Sequence, residues 1–258
     1  MTTRPKNNHR KIVLCIFIGL IALISLALNI VLFDKAVSFY KKINLLRLDP
    51  LEKKMLQSVS ADAARDHQER LMILFGDSRI AKWHPMPELP GWKVINRGIK
   101  GQTTGQLLLR FKEDVLSHSP DALVVQAGIN DLKTIGLFPG SRAEIVADCR
   151  ENLLKLIHEA AAENIPVVVL TIFPVGKPGL IRSLFWAKEI DAAIIQINDE
   201  LKSIHKADTL VIDSEEVLGD GASYLRNEFK KDLLHLNRRG YERLNEMAKS
   251  ELYNFVNR

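Results

Sequence analysis

Between residues 71 and 258, short apolar runs alternate with longer amphipathic stretches, and this alternation restricts the fold more than any other feature of the chain. Leu71–Phe75, Lys93–Asn96, Ala122–Gln126, Val167–Ile172 and Thr209–Ile212 read as buried strands. Gln106–Ser117, Arg142–Glu163, Ala187–His205 and Arg239–Val256 read as helices. Buried strands separated by helices of this length predict an α/β fold with a mostly parallel sheet. No internal repeat or low-complexity tract interrupts the pattern, so 71–258 is read as one globular domain.

The chain carries 36 Lys and Arg against 31 Asp and Glu, a net charge of +5. Residues 1–33 contain Arg4, Lys6, Arg10 and Lys11 and no acid, which leaves 32 basic and 31 acidic residues in 34–258. The body is therefore close to neutral, and its overall charge gives no support for a nucleic-acid partner. With only Cys15 and Cys149, a disulfide framework and a cysteine-rich zinc site are both excluded. Ala162 stands where a zinc-protease helix beginning His158-Glu159 needs its second His, and Gly98, Gly101 and Gly105 fit neither a dinucleotide fingerprint nor a phosphate loop, so no metal or other cofactor is expected.

Ile12 to Phe33 is an uncharged apolar stretch of 22 residues, broken only by Gly19, Ser25 and Asn29. As a helix it extends roughly 33 Å, enough for a bilayer core. The adopted division is a basic flank over 1–11, a transmembrane signal-anchor over 12–33, a helical stalk over 34–70 and the domain over 71–258. A cleaved signal peptide, with secretion, is the alternative, because Ser25-Leu26-Ala27 resembles a small-x-small cleavage site. Cys15 follows Leu14, not the small residue of a bacterial lipoprotein site. Lys35, Lys41, Lys42 and Arg47 nearly balance the basic N-terminal flank, so orientation rests on that flank's lack of acids. This places the N-terminus in the cytoplasm and the domain outside it. Within the stalk, Val37, Tyr40, Ile43 and Leu46 extend the helix outward, and Asp49, Pro50 and Glu52 begin a second one over 50–68.

In an open parallel sheet, ligands bind beyond the carboxyl ends of the strands. Gly76-Asp77-Ser78 follows the first predicted strand, Asn96–Gly101 the second, and Gly128-Ile129-Asn130-Asp131 the third. Asp232-Leu233-Leu234-His235 follows the last strand after a loop. A serine hydroxyl needs a base to take its proton and a carboxylate to orient that base. Ser78, His235 and Asp232 supply these types, and the three-residue separation of Asp232 from His235 lets one tight turn aim the carboxylate at Nδ1. The charge that develops on an attacked carbonyl needs donors already in place. The candidates are the backbone N–H groups of Ser78 and Gly101 and the side-chain amide of Asn130. Each piece has an ordinary structural alternative as a turn or a cap, and it is their order, each after its own strand, that points to chemistry.

These blocks resemble the SGNH hydrolases, also called the GDSL esterase/lipase family. Phe75–Ile80, Asn96–Thr104, Gly128–Asp131 and Asp232–Asn237 match the family's four blocks, and the resemblance spans about 71–250. Leu233 stands where a glycine is frequent. The resemblance implies a three-layer α/β/α fold and metal-independent ester hydrolysis through an acyl-serine. It implies Ser78, Asp232 and His235 as catalytic residues, with Ser78, Gly101 and Asn130 around the oxyanion. Ile80 excludes the Gly-x-Ser-x-Gly elbow of the common α/β-hydrolases. Arg79 and Lys100 are read as solvated side chains, with contact to an anionic substrate as the alternative.

The expected activity is that of a membrane-anchored serine ester hydrolase. Its substrates would be short acyl esters, lysophospholipids or O-acetyl groups of an envelope polysaccharide. Acyl transfer to a sugar or lipid hydroxyl is the second enzymatic reading, and a non-catalytic membrane scaffold is the reading from another class. Phe173–Trp186, rich in Pro, Gly and large apolar residues, is left open between substrate contact, core packing and membrane contact.

Overall fold

The computed structural model describes residues 6–48, 69–179, 186 and 188–257. The chain divides into two compact units, Met1–Lys53 and Lys54–Arg258.

In the first unit a single helix, α1, runs from Lys6 to Leu48. Its stretch Arg10–Ile43 is long and apolar enough to cross a membrane, and its apolar side chains are exposed apart from the partly buried Val37. The polar interruptions are satisfied within the helix, since Asn29 Nδ2 donates to the Ser25 carbonyl at 2.8 Å. A helix facing lipid needs that internal satisfaction. The helix passes through residue 33 without a break and takes in Val37, Tyr40 and Ile43. The second helix expected over 50–68 lies outside the described residues.

In the second unit β1 (Arg70–Gly76) leads into a one-turn helix α2 (Ser78–Ala81), then β2 (Trp92–Gly98) and α3 (Thr104–Asp114). β3 (Ala122–Gln126), α4 (Ile129–Leu132), α5 (Arg142–Ala162) and β4 (Val167–Leu170) follow. The chain closes with α6 (Lys188–Lys202), β5 (Thr209–Ile212), α7 (Ser214–Leu218) and α8 (Arg238–Met247), which continues through a π turn, Ala248–Leu252, into α9 (Tyr253–Val256). The five strands form one sheet in the order β2-β1-β3-β4-β5, and all four pairings are parallel.

Alternation along the strands divides the core in two. Leu71, Ile73, Phe75, Leu123, Val125, Val167 and Val169 pack under α3, α5 and α6. Met72, Leu74, Val124, Val168 and Leu170 face α2, α7, α8 and α9. Successive strand side chains point to opposite faces, and both faces of β1, β3 and β4 are covered, which is why these strands are apolar at nearly every residue, whereas edge strand β2 carries Lys93, Asn96 and Arg97 and is only partly buried. The result is the three-layer α/β/α arrangement.

Local chemistry accounts for the differences from the sequence reading. β4 stops at Leu170, not Ile172, because the Asn198 side chain takes over the next peptide. Its Oδ1 accepts from Ile172 N at 2.8 Å and its Nδ2 donates to Ile172 O at 2.9 Å. α3 starts two residues early because Thr103 and Gln106 form a reciprocal capping box. α2, α4 and α7 are too short for an apolar period to reveal.

β1 pairs with both β2 and β3, and the chain direction reverses there: β2 lies to one side and β3 to β5 to the other. Such a switch point opens a crevice at the carboxyl ends of the strands. Gly76, the last residue of β1, sits so close to β3 that an added Cβ would lie 2.0 Å from the Gln126 carbonyl oxygen. Gly76→Ala is expected to destabilise the domain by about 3 kcal/mol or more. Gly105→Ala, in the half-buried first turn of α3 with no atom nearer than 3.6 Å to the added Cβ, should leave stability unchanged or slightly raised. Urea titration of both variants checks this, and equal stability of the two would contradict the close packing at Gly76.

Candidate active site

Four loops meet at the carboxyl ends of β1, β2 and β3. The first is the turn into α2. Asp77 caps it, accepting from Arg79 N at 2.8 Å, and Ser78 is its first helical residue, half-buried. Asp77 is wholly buried, and this burial raises its carboxyl above the usual range despite the Arg79 charge and N–H beside it.

The second loop supplies the partner. Asp232 Oδ1 accepts from Leu234 N at 2.9 Å and from His235 N at 3.0 Å, so the carboxylate folds its own turn. The turn returns His235 Nδ1 to 2.9 Å from Oδ1 and 2.8 Å from Oδ2. His235 Nε2 then lies 2.9 Å from Ser78 Oγ. Ser78, His235 and Asp232 thus form a continuous hydrogen-bonded chain. Burial acts to raise the Asp232 pKa, but the Leu234 N–H and the His235 ring outweigh it and hold the carboxyl below the usual range. Burial lowers the His235 pKa, and Lys82 and Arg79 add to this. The opposing pull of Asp232 is smaller, so the imidazole stays neutral at neutral pH. A neutral ring with Nδ1–H fixed by a carboxylate presents a bare Nε2 to the hydroxyl, the form a general base needs.

The remaining loops supply donors. Gly101 has φ +82°, a conformation costly for residues with a Cβ, and open space surrounds the position a Cβ would take. Asn130 is buried at the start of α4, its Nδ2 donating to Gln102 O at 2.9 Å and lying 3.4 Å from Asp77 Oδ2. Lys133 Nζ donates to Asn130 Oδ1 at 2.5 Å, which fixes the amide with its nitrogen toward Gln102 O and Asp77. Of the residues expected from sequence, Ser78, His235 and Asp232 are joined directly by hydrogen bonds, and Asn130 lies beside Asp77 and is bonded to Gln102, the residue after Gly101.

Arg79 is different from expectation. It is fully buried rather than solvated, with Nε donating to Leu234 O at 3.0 Å and its guanidinium 5.3 Å over the Phe173 ring. Burial pushes its pKa down to about 10. Arg79 thus joins the serine turn to the histidine loop. Lys100 is exposed, as expected. In the Phe173–Trp186 segment Phe173, Val175 and Trp186 are buried in the core and Gly176 N donates to Leu233 O at 2.8 Å, whereas Lys177 and Gly179 are exposed. Residues 180–185 lie outside the described residues.

Sequence reasoning missed Asp131 and Arg110 as parts of this site. Asp131 accepts from Thr104 N at 3.0 Å and Thr104 Oγ1 at 2.7 Å, tying the Asn130 loop to the start of α3. Arg110, from α3, reaches the backbone of β1 and β2. Among the described residues no group of His, Cys, Asp and Glu is arranged to hold a metal ion.

Residues 73–243 match the model of the GDSL-like lipase/acylhydrolase family. This chain belongs to that family. It is 28% identical over 152 residues to an uncharacterized lipoprotein, YqeF, of Bacillus subtilis, a match covering 53% of this chain and 62% of that one. It is 46% identical over 46 residues to an acetylxylan esterase of Geobacillus stearothermophilus, covering 18% of this chain and 20% of the esterase. The chain thus spans less than two thirds of either curated relative. In fold it is similar to a GDSL-like lipase from Bacteroides thetaiotaomicron, with a TM-score of 0.59, 24% identity, and coverage of 78% of this chain and 97% of that one. Ser78 and the Asp232–His235 turn both fall inside the family match.

Burial pushes Asp131 up to about 6, despite its bonds from Thr104. Its folded value is therefore above its unfolded value, and between about pH 4 and 6 the folded chain holds a proton that the unfolded chain releases. Asp131 accordingly favours folding less as pH rises through this window. Asp131→Asn, neutral throughout and still an acceptor for Thr104, is expected to gain stability relative to the parent from pH 4.5 to 7. Thermal melts at both pH values test this, and a relative loss on raising pH contradicts it.

Proposed function

We propose that this protein is a membrane-attached serine esterase in which Ser78 is the nucleophile, His235 the general base and Asp232 the group that orients it. The single observation that carries this reading is the unbroken line from Asp232 through the His235 ring to Ser78 Oγ, with both links at 2.8–2.9 Å. Ser78 Oγ attacks the ester carbonyl carbon while its proton passes to His235 Nε2. The carbonyl oxygen becomes an oxyanion beside the N–H groups of Ser78 and Gly101 and the Asn130 amide. Asn130 retains its bond to Gln102 O and gives its second N–H to the oxyanion, in exchange for the long contact with Asp77. Collapse breaks the bond to the alcohol, which leaves with the proton from His235. Water then attacks the acyl-serine, gives a proton to His235 and releases the acid as that proton returns to Ser78.

The acetylxylan esterase relative favours O-acetyl groups on a polysaccharide among the substrate classes that the site admits. Short acyl esters and lysophospholipids are the other two. Attachment to a membrane is supported by the length and exposed apolar surface of α1 and by the relative described as a lipoprotein. The attachment proposed here is by α1 itself, with the N-terminus cytoplasmic and the esterase domain, over 71–258, outside.

Ser78→Ala is expected to abolish labelling by a serine-reactive phosphonate and to lower p-nitrophenyl acetate hydrolysis by about 10⁴-fold or more. Equal labelling of parent and variant sinks the assignment, and retention of biological function by Ser78→Ala favours a scaffold. Release of acetate compared with and without an added sugar alcohol separates hydrolysis from transfer. The base must be neutral to act, and burial makes the His235 imidazolium harder to form. The acid limb of kcat/KM should thus fall at a pH below the ordinary histidine value of about 6.5; an acid limb above it contradicts the assignment of His235.

The full chain is expected to sediment with membranes through an alkaline carbonate wash, and a chain starting at residue 49 to remain in the supernatant. Recovery of the full-length chain in the soluble fraction, or of a product cut near Ala27, contradicts the anchor.

A further inference from the structure

The segments that carry Ser78, Gly101 and Asn130 are all fastened, directly or through one residue, to a single buried guanidinium. Arg110 lies in the middle of α3, fully buried, 4.2 Å over the Phe75 ring. A guanidinium in such a place must have its donors matched. Nε donates to Gln102 Oε1 at 2.6 Å, Nη1 to Arg97 O and Asp114 Oδ2 at 2.9 Å each, and Nη2 to Gly76 O at 3.1 Å. Gly76 ends β1 two residues before Ser78, Arg97 is near the end of β2, and Gln102 follows Gly101. Gln102 extends the network further, since its own carbonyl accepts the Asn130 amide at 2.9 Å.

We propose that Arg110 is the positioning residue of the oxyanion site, fixing the separation of the Ser78 turn from the Gly101 loop and, through Gln102, the direction of the Asn130 amide. The inference rests on the esterase reading above. Two features carry it beyond an ordinary buried ion pair. Asp114 lies on the same helix, four residues on, so the pair itself fastens no loop. The three other acceptors lie on two of the segments around the site, Gly76 at the end of β1 and Arg97 and Gln102 on either side of Gly101, and a rigid planar fork matches them in a way that the single ammonium of a lysine cannot. Displacing donors from an oxyanion by even part of an ångström is costly, since removal of one donor lowers kcat by about 10²–10³-fold.

The test compares the full-length parent with Arg110→Met/Asp114→Leu, Arg110→Lys and Gln102→Ala. The double variant replaces the buried pair with apolar groups of similar size, which proteins often accept without loss of stability. Titration with a p-nitrophenyl phosphonate gives the concentration of competent sites, so kcat is expressed per site and a merely unstable fraction does not register. KM for p-nitrophenyl acetate and the inhibition constant of an arylboronic acid, a mimic of the tetrahedral state, complete the set. The expected result is a fall in kcat per site of about 10²-fold for both Arg110 variants and about 10-fold for Gln102→Ala. KM should stay within about threefold, and boronic acid binding should weaken in parallel with kcat. Unchanged kcat per site and unchanged boronic acid affinity overturn the proposal and leave Arg110 a support of the fold alone. If the Arg110 variants do not fold, Gln102→Ala decides between the same two outcomes. A parent protein that neither labels nor hydrolyses the ester refutes the esterase reading, and is distinguishable from failure of the Arg110 inference because the latter requires an active parent.

Discussion

The double pairing of β1, with β2 on one side and β3 on the other, governs the geometry of everything that follows in the chain. It places the ends of three strands side by side, so that the loop after each opens into one crevice. The register makes the convergence tight, with Gly76 opposite Gly98 in β2 and opposite Gln126 in β3. Ser78, Gly101 and Asn130, far apart in sequence, thereby reach one place without any long excursion of the backbone. The fourth loop is not positioned by the sheet. It is held by side contacts: Arg79 Nε and Gly176 N each donate to a carbonyl in the Leu233-Leu234 pair.

Behind this crevice lies a layer of buried charge. Asp77 and Asp131 are carboxylates whose burial opposes ionisation, and Arg79 and Arg110 are cations whose burial opposes protonation. None touches open solvent to a large degree, and each makes hydrogen bonds to backbone groups of the site loops. Desolvated charges of this kind are costly to the fold, and their geometry is correspondingly unforgiving. The loops that carry Ser78 and His235 therefore rest on a buried, hydrogen-bonded polar layer.

The sheet was legible in the sequence because β1, β3, β4 and β5 are short apolar runs bounded by polar or glycine-rich residues, while β2, with Lys93, Asn96 and Arg97, showed only its Val94-Ile95 centre. The site residues were legible because each belongs to a short motif whose local geometry is self-contained, as the Asp232 turn shows. The buried polar layer was not legible for the opposite reason. Arg110 sits on the apolar side of α3 with Leu107 and Phe111, and an arginine there reads as an interruption of the period rather than as a group aimed at distant carbonyls. Its partner Asp114, four residues on, was the one local signal. Arg79 followed the serine directly and had no period to place it. The limits of β4 depended on Asn198 from a helix later in the chain, which no local pattern encodes.

Asp232 remains half-exposed even as it holds His235: its side chain keeps 51% of its accessible surface, and that of His235 keeps 18%. The hydrogen-bonded Asp232–His235 pair thus sits at a wet boundary, with solvent on one side and the Ser78 hydroxyl on the other. An enzyme that hands an acyl group to another alcohol has to keep water from the acyl-serine. Solvent at the Asp232 carboxylate, with the His235 ring partly exposed beside it, gives water a route to the base in the proposed esterase.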